Sequence, residues 1–140
     1  RLSIMAFGTL AFDTLQTSDS KNTGQNKTLD TSFIYNGSAK SWVKFDGSIT
    51  TPVALDSFSS SSITDSATGN YINNLTNAME NINYCMSTAG EHDAGSHAAY
   101  GEYNHDSPNT TTASKVDYHN NAGSAVDVGN AGQVVTGELA

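Results

Sequence analysis

The sequence predicts an all-β domain, a β-sandwich or jelly-roll-like module with an extended N-terminal arm. Three observations lead there. Apolar side chains recur at every second position over short segments, the period of a half-buried strand. Turns rich in Gly, Asn and Asp separate those segments. No stretch places apolar residues at i, i+3, i+4 and i+7 without a Gly or β-branched interruption, so helical periodicity is nearly absent.

Residues 8–15 open the chain as a short strand, with Leu10 and Phe12 on one parity. Residues 16–28 follow as Q-T-S-D-S-K-N-T-G-Q-N-K-T, which has no large apolar side chain to bury after Leu15, and read as a long loop or arm. The division expected is therefore 1–31 as N-terminal strand and extended arm, a candidate anchor, and 32–140 as the β-sandwich domain. Residues 32–35 and 41–45 are aromatic and β-branched strand candidates, each followed by a turn dipeptide, Asn36-Gly37 and Asp46-Gly47. Trp42 is expected in the core. The clearest hairpin joins residues 60–64 to 70–75 through a turn at 65–69, with Ile63 opposite Tyr71 or Asn73. The Ser-rich tract at 57–62 suits an edge strand. Residues 82–86 and 115–119 alternate in the period-2 manner, and 133–139 closes the chain. The nearest approach to a helix is a single turn within 73–82.

Composition limits what such a domain can be. Only 25 of the 140 residues are Leu, Ile, Val or Phe, so the core is thin and its burial stabilises less than usual. Association then supplies the remainder, and a homo-oligomer, with a trimer as one arrangement, or a subunit on a larger scaffold is expected. The formal net charge of −8 and the absence of a basic patch argue against nucleic acid as a partner. No window approaches the ~20 apolar residues of a membrane helix, and no membrane partner is expected. Residues 1–12 lack the apolar stretch and small-residue cleavage site of a secretory signal, so export by that route is not expected. The single cysteine, Cys85, excludes an internal disulfide and a Cys-based zinc knuckle.

Several runs, taken in order, resemble small virion-associated proteins of marine tailed bacteriophages, including cyanophages. They are Gly8-Thr9-Leu10-Ala11-Phe12-Asp13-Thr14-Leu15, then Leu29 onward through Tyr35-Asn36-Gly37-Ser38-Ala39-Lys40-Ser41-Trp42-Val43, Phe45-Asp46-Gly47, Ser61-Ser62-Ile63-Thr64-Asp65, Thr68-Gly69-Asn70-Tyr71 and Gly137-Glu138-Leu139-Ala140. The resemblance covers most of the chain from Met5 and departs from the family at residues 1–4 and at the His-, Asp- and Tyr-rich stretch 91–109. It implies a structural, fibre-like or decoration-like all-β protein without catalysis. The virion is the implied location, after assembly in the bacterial host cytoplasm, with other capsid or tail proteins as partners. A capsid-surface decoration is the first expectation, because a short chain without heptads or repeats has no shaft. A tail-fibre or receptor-binding tip contacting host glycans is the alternative.

Two groups of residues are candidate sites. Leu10, Phe12 and Leu15 suit an anchor strand that adds to a neighbouring sheet, unless that strand completes its own sandwich. His92, Asp93, His97, Tyr100, Tyr103 and His105 form the one polar constellation, with Glu91, Glu102, Asp106 and His119 nearby. Imidazoles and carboxylates ligate divalent metals, but these spacings match no standard motif, and a solvated loop is the simpler reading. No cofactor is otherwise implied. Paired carboxylates for glycoside cleavage or a Ser96-His97-Asp93 triad would need geometry that adjacency does not supply, so no enzyme is expected.

Overall fold

The computed structural model describes residues 14–16, 28–92, 97–104 and 107–140. The chain divides into two compact units, Arg1–Gly37 and Ser38–Ala140. In the first, strands β1 (Thr14–Gln16) and β2 (Thr28–Asp30) pair antiparallel, with Leu15 opposite Leu29. Leu10, Phe12 and residues 17–27 of the expected arm lie outside the described residues. Helix α1 (Thr31–Gly37) follows β2 directly. The strand expected at 32–35 is thus corrected to a helix. Its aromatic and β-branched content favours a strand, but over so short a segment that preference is weak and context-dependent. Phe33, Ile34 and Tyr35 are all exposed.

The described residues of the second unit form eight strands. They are β3 (Ala39–Phe45), β4 (Ala54–Phe58), β5 (Ser60–Ala67), β6 (Asn70–Leu75), β7 (Cys85–His92), β8 (His97–Tyr103), β9 (Ala113–His119) and β10 (Asn130–Thr136). They form one antiparallel sheet in the order β4-β3-β10-β7-β8-β9-β6-β5. The sheet doubles back on itself at β8, whose first residues pair with β7 (His92 opposite His97) and whose last pair with β9 (Tyr103 opposite Val116). The two edge strands, β4 and β5, are consecutive and separated only by Ser59, so the sheet is nearly closed. Ser59 takes a left-handed φ of 55°, and its carbonyl accepts the Thr76 N–H at 3.0 Å. The all-β expectation therefore holds, and the Ser-rich tract occupies both edges.

Alternation decides which side chains face inward. On β6 and β9, Tyr71, Asn73 and Leu75 and then Ser114, Val116 and Tyr118 are buried, while the residues between them are half-buried. Ile63 lies opposite Asn73 as expected, although β5 continues to Ala67 and the turn shortens to Thr68-Gly69. On β3, Ser41, Val43 and Phe45 point inward, which places Trp42 on the outer face, half-buried rather than in the core. Residues 82–84 precede β7 instead of forming its start.

Tyrosines take the place of missing aliphatics. Tyr71 and Tyr118 are among the most deeply buried side chains, and their rings meet edge to face with centroids 6.0 Å apart; Phe45 stacks likewise on Tyr71 at 5.1 Å. Each hydroxyl reaches backbone on another strand or loop. Tyr71 donates to the Gly47 carbonyl at 2.8 Å and lies 3.1 Å from Asp127, which also accepts the Gly69 N–H. The Tyr118 hydroxyl reaches the carbonyls of Ala89 and Gly132 from the opposite half of the sheet, both at 3.0 Å. Tyr84 reaches those of Thr110 and Ala113 at 3.0 and 2.8 Å. The close approach of Tyr71 leaves no room for a side chain at residue 47, where a Cβ would lie 2.5 Å from the ring.

The apolar core is split. One cluster centres on Val43, Phe45, Tyr71, Val116, Tyr118 and Val128, and another on Leu75, Met79, Tyr84 and Val135. Ser41, Asn73, Ser114 and Gln133, all buried, form a polar seam along the same strands. Asn73 accepts from Ser60 at 2.6 Å and donates to Ser41 at 3.4 Å. Gln133 Nε2 and Ser114 Oγ both point at Met86 Sδ, a weak acceptor.

Two outcomes follow from this interior. Burial pushes the Tyr84 phenol up to about 12 and those of Tyr71 and Tyr118 higher still, from an ordinary value of 10.0. Each phenol ionises first in the unfolded chain, so this stabilisation is complete below pH 10 and is lost as pH rises through the folded-state values. Urea melts at stepped alkaline pH, read beside tyrosinate absorbance, should show a flat midpoint up to that pH and a steep fall above it. The second outcome concerns Gln133, whose Oε1 is buried and accepts no hydrogen bond among the described residues. Replacing it with an apolar chain of similar length, Gln133→Met, should raise the unfolding free energy by about 1 kcal/mol in chemical denaturation; a drop of that size would mean the oxygen is paired.

Candidate binding surfaces

The polar constellation at 91–106 is not one loop. His92 ends β7 and His97 begins β8, opposite each other, while Asp93 and His105 lie outside the described residues. Tyr100 and Tyr103 sit on β8, three residues apart and therefore on opposite faces of that strand. Tyr100 faces outward beside His119, with ring centroids 5.9 Å apart, and Glu102 Oε1 lies 3.3 Å from His119 Nδ1. That contact has ion-pair distance without hydrogen-bond alignment, since His119 Nδ1 lacks a bonded partner. Glu91 accepts from Asn130 at 3.2 Å on the neighbouring strand. Among the described residues, no group of three or more His, Cys, Asp or Glu is placed to hold a metal ion. Cys85 is exposed and unpaired.

A second surface lies on the outer face of β4-β3-β10. Trp42 stands opposite Phe58 on one side and Val134 on the other, so three apolar side chains form a row across three strands. Phe58 is 54% exposed and Val134 40%. Beside the row, a depression of about 280 Å³ opens over Gly132, walled by Trp42, Val134 and Ala89. The row reaches the sheet edge, because among the described residues β4 pairs only with β3, and Val53 and Leu55 are also exposed there. Period-2 reading of 41–45 contains this signal, provided Val43 and Phe45 are given the inner face.

The third surface is a groove of about 400 Å³ between residues 82–84, Tyr103 and residues 108–109. It exists because β7 and β8 separate after three paired residues, and side chains bridge the gap. Thr88 Oγ1 donates to the Gly101 carbonyl at 2.9 Å, and the Tyr103 hydroxyl accepts the Met86 N–H at 3.0 Å. Asn104, buried, donates to Asp117 at 2.7 Å and accepts the Ser107 N–H at 2.6 Å, which fixes the turn. The Lys115 ammonium holds the Ser107 hydroxyl at 2.7 Å, and Asn109 Oδ1 accepts the Lys115 N–H at the same distance. Sequence reasoning named Tyr103 but missed its neighbours at 82–84, some twenty residues earlier in the chain and brought beside it by tertiary contacts such as the Tyr84 hydroxyl on Thr110 and Ala113. On the other side of Asn83, a separate depression carries Glu138, whose hydrogen bond and like charge push the Glu80 carboxyl above its ordinary value.

Set against known proteins, the chain matches no family model, no curated protein and no solved structure. Its class rests on its own architecture, an acidic all-β module with an apolar row at one sheet edge and a mixed groove elsewhere.

Proposed function

We propose that the chain is a non-enzymatic structural protein of a tailed-phage virion, displayed in multiple copies on the particle surface as a capsid decoration. The observation that carries this reading is the apolar row Trp42–Phe58–Val134 at the β4 edge. An edge strand offers unpaired main-chain groups, and exposed apolar side chains beside it favour addition of a neighbouring subunit. The occupant we assign is another virion subunit. Its main chain extends the sheet while its side chains cover Trp42 and Phe58. The exposed Phe33, Ile34 and Tyr35 of the first unit give a further apolar attachment surface, alongside the anchor proposed for Leu10, Phe12 and Leu15. A net charge of −8 suits dense display, since like-charged exteriors resist clumping of particles. Homo-oligomerisation, with a trimer as one arrangement, belongs to the same proposal.

A receptor-binding tail tip is the second reading, favoured by the groove at Tyr103. Copy number separates the two. Quantitative mass spectrometry of purified virions should find the chain at a stoichiometry comparable with the major capsid protein; a handful of copies per particle would favour the tail, and absence from the particle would overturn both. Phe58→Asp places a charge in the apolar row and should abolish incorporation while leaving the far-ultraviolet circular dichroism unchanged.

A further inference from the structure

We propose that the groove between residues 82–84, Tyr103 and residues 108–109 binds neutral saccharide. This goes beyond the structural role above and does not depend on it. A pyranose ring presents one face of C–H groups and a rim of hydroxyls, so its site needs an apolar platform with amide donors and acceptors at its margin. The groove has both. Ile82 is 57% exposed, Tyr103 is 49% exposed, and Pro108 adds a third apolar wall. The amide of Asn83 is exposed and makes no side-chain hydrogen bond among the described residues. Asn109 uses its Oδ1 on the Lys115 N–H, which leaves its Nδ2 donor available.

The site is preorganised. Tyr103 is tethered through its hydroxyl to the Met86 N–H, so its ring loses little freedom when a ligand stacks on it. Asn104 has both amide atoms engaged and holds the wall in place. At about 400 Å³ the groove falls within the range of small-ligand sites. Its chemistry also selects against charge. Among the described residues no Asp, Glu, Lys or Arg lines it, the Tyr84 phenol stays protonated with its pKa pushed up to about 12, and the chain is acidic overall. Phosphorylated and uronic-acid sugars therefore find no cation among the described lining residues and a repulsive overall field, whereas neutral hexoses pay no such penalty.

The test uses the full chain, a panel of neutral gluco-, galacto- and manno-oligosaccharides, and oligogalacturonate as an acidic control, followed by amide chemical shifts in NMR titration. At least one neutral oligosaccharide should bind saturably and shift residues 82–84, 103 and 108–109, while the acidic control should not. Tyr103→Ala should weaken that binding at least about tenfold. Tyr103→Phe keeps the platform and should retain most of it. Asn83→Ala, which disturbs no internal bond, should weaken binding several-fold and guards against a folding defect in the first variant. Failure of every neutral sugar to bind, preferential binding of the acidic control, or binding unchanged by both Tyr103→Ala and Asn83→Ala would overturn the assignment. Virion copy number is read independently, so loss of either proposal leaves the other standing.

Discussion

The structure depends on tyrosine hydroxyls that cross the interior and end on backbone carbonyls. A chain this poor in large aliphatics gains less than usual from apolar contact between two sheet halves, against the same entropy of ordering. Tyr118 meets the problem by adding a large ring to the core and directing its hydroxyl to Ala89 and Gly132 on the facing strands. Tyr71 does the same at one end of the nearly closed sheet, and Tyr84 beneath the turn at 110–113. In a medium of low polarity such bonds are strong, and each also fixes the spacing between the elements it joins.

That arrangement positions the surfaces. Tyr84 and Asn104 lock the floor and wall of the groove, and the parting of β7 from β8 that opens it is bridged by Tyr103 and Thr88. The polar seam through Asn73 and Gln133 divides the core, so the β4-β3 edge and the groove are backed by different apolar clusters. Residues that carry stability thus also shape what a partner or ligand would meet.

Much of this fold was legible in the sequence. The alternation at 41–45, 70–75 and 115–119 marks β3, β6 and β9, and the Thr68-Gly69 turn pairs Ile63 with Asn73. Helix α1 was not, because over seven residues side-chain propensity is a weak signal that the surrounding chain overrides. Trp42 was assigned inward on hydrophobicity, whereas parity with Val43 and Phe45 sends it out. The polar stretch at 91–106 suggested a loop since His, Glu and Tyr are read as solvated, yet backbone pairing accepts them wherever a sheet face meets water. The groove joins Asn83 to Asn109 through a strand crossing, and no local pattern announces such a contact.

The hydroxyl of Tyr118 is the most direct point of attack on this account. Tyr118→Phe keeps the ring packed against Tyr71 and removes only the hydroxyl donor shared by the Ala89 and Gly132 carbonyls. Denaturant unfolding should then lose about 1–3 kcal/mol with an unchanged denaturant slope. A variant as stable as the parent would mean that the rings alone hold the halves together and that the crossing bonds contribute nothing.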